Sequence, residues 1–111
     1  MKKYLAMALM SCALSAQANG YGENGNIMAD GLDNNGSTWL RGMYSGYVWG
    51  IADTLELSGL VCIQNGVTRK QLVDVVIRYL AAHPEFRQLH AEALTGVALM
   101  EAFPCKKKGN I

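Results

Sequence analysis

The chain predicts a small all-α fold, a disulfide-linked helical bundle that follows a cleaved signal peptide. Three observations carry this expectation. After residue 37, three stretches place apolar residues at helical spacing, and each is bounded by capping or helix-stopping residues. The N-terminus is laid out as an export signal. Of the 3 cysteines, Cys12 lies inside that signal, so Cys62 and Cys105 remain as an even pair in an exported chain.

The first element is MKKYLAMALMSCALSAQA. Lys2 and Lys3 make a positive flank, Tyr4 to Ala16 is almost wholly apolar, and Ala16-Gln17-Ala18 is a small-x-small cleavage pattern. The apolar run is too short to span a bilayer, and no later stretch has the length and apolar character of a membrane helix. Leu9-Met10-Ser11-Cys12 loosely resembles a lipoprotein cleavage site, but methionine is unusual at its second position and the apolar run continues past the cysteine. Cleavage after Ala18 is therefore preferred, which places the mature protein in the periplasm as one domain. Losing two lysines turns the formal charge from +1 to −1. A near-neutral domain lacks the basic footprint of nucleic-acid binding, and the tail at residues 106–111, with Lys106, Lys107 and Lys108, reads as a solvated end.

Residues 19–37, NGYGENGNIMADGLDNNGS, are rich in Gly and Asn. The composition predicts a flexible segment that buries little, with room for one short turn around Ile27 to Leu32. Its DGLDNNG run fails as a calcium loop, because counting back from Gly36 puts Gly31 at the first ligand position. Asn35-Gly36-Ser37 matches a glycosylation sequon in form alone.

A helical domain is expected over residues 38–105. Its first helix spans Thr38 to about Leu57, with Ser37 as N-cap. Leu40, Tyr44, Tyr47, Val48, Ile51 and Leu55 share one side, and Gly42, Gly46 and Gly50 recur on the other, flanked by Trp39, Met43 and Trp49. Each mid-helix glycine costs roughly 1 kcal/mol against alanine, so three in register ask for a compensating close approach. That approach is either packing of the helix on both faces inside its own monomer or a subunit or partner contact. The second helix starts with a capping box, Thr68 with Gln71, and Val67 positioned to staple onto Leu72. Lys70, Asp74 and Arg78 share a narrow polar face within a wide apolar arc. His83-Pro84 separates this helix from the last. There Phe86, Leu89, Ala93, Val97 and Met100 are expected inside, and Pro104 ends the run.

Pairing Cys62 with Cys105 would tie the end of the last helix to the loop between the first two. In the chain-entropy model, a loop of that length is worth on the order of 4 kcal/mol. The other state, two free buried thiols, needs a reducing compartment that the signal argues against.

The residues that carry chemistry are sparse. His83 sits at a helix boundary and His90 at the edge of an apolar stripe, where a hydrogen-bonded core histidine is the plainer reading. Two histidines make a poor zinc site, so neither a metal nor a cofactor is expected. Ser37, Ser45 and Ser58 lie in no nucleophile turn, bridged cysteines are not thiolates, and Asp53 and Glu56 read as solvated. The chain reads as a binding protein and not an enzyme.

YVWGIAD (Tyr47 to Asp53), VCIQNGVTRKQLVDVVIRYLAAHPEFR (Val61 to Arg87) and ALMEAFPC (Ala98 to Cys105) together resemble the Rap/Tai family of type VI secretion immunity proteins. The similarity runs from about Leu40 onward, and the combination of C-I-x-x-G-V-T-x-x-Q, H-P-E and F-P-C is its most specific part. Gln64 stands where the family commonly has proline, and a further cysteine carried by many members is missing. The resemblance implies a periplasmic, helical, often dimeric protein that binds and blocks a peptidoglycan-cleaving amidase, with the family's disulfide falling on Cys62 and Cys105. The candidate inhibitory surface is the loop Ile63-Gln64-Asn65-Gly66, which could otherwise serve only to join two helices. Glu56 and the exposed aromatics of the first helix are secondary candidates. The alternative class is a periplasmic acid-stress chaperone or another small envelope binding protein, which would use exposed apolar surface or the glycine stripe.

Overall fold

The computed structural model describes residues 23–106, and the expected signal peptide (residues 1–18) and all but Lys106 of the basic tail lie outside them. Among the described residues four helices follow one another: α1 (Gly25–Leu32), α2 (Thr38–Leu57), α3 (Arg69–Ala82) and α4 (Ala91–Ala102), with a 3-10 turn, Pro84–Phe86, between the last two. No strand occurs among the described residues, so the all-α bundle stands.

Helix α2 starts where Ser37 Oγ accepts the Leu40 N–H at 3.4 Å. It turns Tyr44, Val48 and Ala52 into the core, while Tyr47, Ile51 and Leu55 pack at the edge of that core and Leu40 stays exposed. Helix α3 carries both bonds of its capping box. Gln71 N–H donates to Thr68 Oγ1 at 3.1 Å, and Thr68 N–H donates to Gln71 Oε1 at 2.7 Å. It buries Leu72, Val73, Val76 and Leu80, and Lys70 meets Asp74 at 2.9 Å on its outer side.

Two expectations are corrected. Composition predicts little burial before Thr38, yet α1 inserts Met28, fully buried, and Leu32 into the core. Asn24 caps it, its Oδ1 accepting the Ile27 N–H at 3.0 Å. Gly25 and Gly31 are required here by close approach. A Cβ on Gly31 would strike the Tyr44 ring, and one on Gly25 would meet Leu94 and the Arg87 carbonyl oxygen. The segment before α1 is also stitched down, with Ala91 N–H donating to the Glu23 carbonyl (2.7 Å) and Gly25 N–H to that of Leu89 (3.0 Å).

The buried face of the last helix also differs. It comprises Ala91, Leu94, Thr95, Ala98 and Leu99, whereas Ala93, Val97 and Met100 face outward. The helix does not run on from Pro84: the 3-10 turn stops at Phe86, and α4 begins afresh at Ala91. Apolar residues occupy both sides of this segment, so periodicity alone does not choose between them. His90 is the exposed N-cap of α4, with no side-chain cap bond, and is not a core histidine. Thr95 is the buried polar residue of the core, its Oγ1 donating to Met28 Sδ at 3.5 Å.

Candidate functional site

The loop between α2 and α3 is built as a fixed object. Helix α2 closes in a Schellman turn, with Leu60 N–H donating to the Leu55 carbonyl (2.9 Å) and Gly59 N–H to that of Glu56 (3.0 Å). Gly59 takes φ +74°, the left-handed conformation this turn needs. Val61 is then buried at 1% exposure, and Cys62 N–H donates to the Phe103 carbonyl at 2.9 Å. The disulfide Cys62–Cys105 closes beside that bond, with a Cα–Cα distance of 5.0 Å. Ile63 packs against the core. The chain reverses when Val67 N–H donates to the Gln64 carbonyl at 3.2 Å, with Gly66 at φ +95° in the third position of the turn. That is type II geometry, which favours glycine there. Gln64, Asn65 and Gly66 are left exposed on a loop pinned at Val61, Cys62 and Ile63.

The glycine stripe lies elsewhere. Gly42, Gly46 and Gly50 are exposed, and a Cβ on any of them would meet nothing within 4 Å. Among the described residues nothing packs on the stripe: the other helices lie against the Tyr44–Val48–Ala52 side of α2. The stripe is open surface, with Trp39 (71% exposed) and Met43 beside it, and a shallow groove at Gly46 and Gly50 is walled by Tyr47, Ile51 and Leu55.

Other polar groups are absorbed by local structure. Ser45 Oγ and Ser58 Oγ donate to the carbonyls of Arg41 and Thr54 one turn back, and Ser37 is a cap. His83 closes α3, its N–H donating to the Tyr79 carbonyl, and its ring lies between those of Tyr79 and Phe86. Glu85, 3.3 Å from His83 Nδ1, is held below the usual carboxylate range, first by its own backbone N–H and then by that histidine. Tyr47 reaches Glu92 at 3.3 Å, and partial burial followed by that carboxylate pushes its pKa up to about 12. Tyr44 donates to Glu23, a tie invisible in the sequence. Trp49 Nε1–H donates to the Arg69 carbonyl (3.1 Å), and the Arg69 guanidinium sits over its ring at 5.1 Å. Among the described residues no His, Cys, Asp or Glu cluster could hold a metal ion, and no helix is long and apolar enough to cross a membrane.

These features define a small helical protein that presents a clamped loop and an open helix face. The family of Rap1a immunity proteins matches residues 9–105, and the chain belongs to it. Membership in an immunity family implies binding to an effector protein, and proteins of such families are typically inhibitors rather than enzymes. No curated protein and no solved structure matches the chain significantly.

Proposed function

We propose that this chain is the periplasmic immunity protein of a type VI secretion system, exported by residues 1–18, and that it inhibits a peptidoglycan amidase by occluding its active site. The observation that supports this most directly is the α2–α3 loop. Ile63 anchors it, Gln64, Asn65 and Gly66 project, and the Cys62–Cys105 bridge fixes its base. A loop ordered before binding loses little conformational freedom on entering a cleft, which is what a tight inhibitor requires. The exposed Gly42–Gly46–Gly50 stripe would accept a second copy of the chain, whose backbone could approach closely where no Cβ intervenes.

The test purifies the product of the adjoining reading frame, which the proposal requires to be a peptidoglycan hydrolase. Stoichiometric inhibition of its cleavage of purified peptidoglycan at neutral pH, lost when Gln64 and Asn65 are both changed to bulky residues, is the expected result. A hydrolase unaffected by excess protein refutes the proposal.

A further inference from the structure

The end of α2 carries side chains that the protein's own fold leaves unused. Leu57 is 90% exposed, the highest value for a large apolar side chain among the described residues, and Leu60 is 54% exposed on the turn that follows. Leu60 has a local reason, since a Schellman turn brings its residue against Leu55. Leu57 has none. Beside it Asp53 and Glu56 are exposed and share a surface hollow with it.

Glu56, in the last turn with Asp53 just before it, opposes the helix dipole, whose carbonyl end is already negative, and the last turn holds no basic residue. Arg69 stands 3.9 Å from Asp53 with both side chains well exposed, whereas Glu56 makes no ion pair among the described residues. Apolar exposure and unfavourable charge thus coincide on a rigid turn that continues into the clamped loop.

We infer that Asp53, Glu56, Leu57 and Leu60 form a docking tip. Its occupant is an effector protein that offers an apolar pocket for Leu57, rimmed by Lys or Arg side chains facing Glu56 and the carbonyl end of α2. The inference rests on the inhibitor reading above and extends its contact surface from Ile63–Gly66 back to α2. The partner's cations supply what α2 lacks, and the pocket removes Leu57 from water. Charge across such a contact acts chiefly on the rate of encounter, and the buried leucine on the rate of escape.

The experiment measures binding of the purified hydrolase from the adjoining reading frame to wild type and to Leu57→Ser, Glu56→Lys and Ile27→Ser, by surface plasmon resonance. Ile27, 49% exposed on α1, is the control. Leu57→Ser should weaken binding roughly ten- to hundredfold through faster dissociation. Glu56→Lys should slow association and flatten its dependence on salt between about 0.05 and about 0.5 M. Ile27→Ser should bind as wild type does. All three positions are exposed, so folding is kept, which thermal melts verify. If wild type binds but both tip variants stay within about twofold of it, or Ile27→Ser loses as much as Leu57→Ser, the docking tip is wrong and the inhibitor reading survives. If wild type does not bind the hydrolase, both fall.

Discussion

Replacing both bridge cysteines, Cys62→Ser with Cys105→Ser, should lower stability by about 4 kcal/mol. The bridge closes a sequence separation of 43 residues, and the chain-entropy model gives that value for a loop of this length. Cys62 is exposed and Cys105 half-buried, so serine leaves no large cavity and the loss is mainly the freed entropy of the unfolded chain. For a domain of this size, 1 kcal/mol corresponds to about 4–8 °C in Tm, which makes the expected fall about 15–30 °C. Small domains hold only about 5–15 kcal/mol in total, so the variant should sit near the edge of folding at 37 °C. Circular dichroism melts and urea titrations of both proteins measure this, and reductant should move wild type toward the variant. A Tm change under about 5 °C would refute the reasoning. The end of the chain would then be held by the Cys62–Phe103 backbone bond and the packing of Phe103 alone.

Gly42→Ala, Gly46→Ala and Gly50→Ala should each stabilise the isolated protein by about 1 kcal/mol, read from urea midpoints, because the added methyl meets nothing. If a second copy lies on the stripe, sedimentation should show weaker association in the same variants. Met28→Ala should cost about 2–5 kcal/mol, as expected for a fully buried side chain, and a cost under about 0.5 kcal/mol would show that α1 is not part of the core. Tyr47, raised to about 12, should contribute stability that is complete below pH 10 and lost as pH climbs from about 10 to about 12. Tyr47→Phe should flatten that alkaline limb in denaturation curves, modestly because the group is only partly buried.

What was legible in the sequence was local. Ser37, Thr68 with Gln71, and His83-Pro84 act within one turn, and their outcomes follow from backbone groups that lie nearby. The bridge was legible because only two cysteines remain after Cys12. Helix α1 was hidden because its glycines and asparagines read as flexibility, whereas Gly25 and Gly31 answer to side chains 69 and 13 residues further along, Leu94 and Tyr44. The signal that could have found it was Met28 and Leu32, four apart behind an asparagine cap. The buried face of α4 is not legible for a different reason: with apolar residues all round, tertiary contact decides. At the loop, Asn65-Gly66 announced a turn, but the exposure of Leu57 depends on what fails to cover it, and no local pattern encodes that.

Two ties join segments far apart in the sequence. Glu23 is bonded to Ala91, and Cys105 is joined to Cys62. Lifting α1 away from α4, or the segment after α4 away from the α2–α3 loop, therefore has to break one of these ties first. Among the described residues, local opening should come more easily at the exposed bend through Asp33–Gly36, and amide exchange should be fast there.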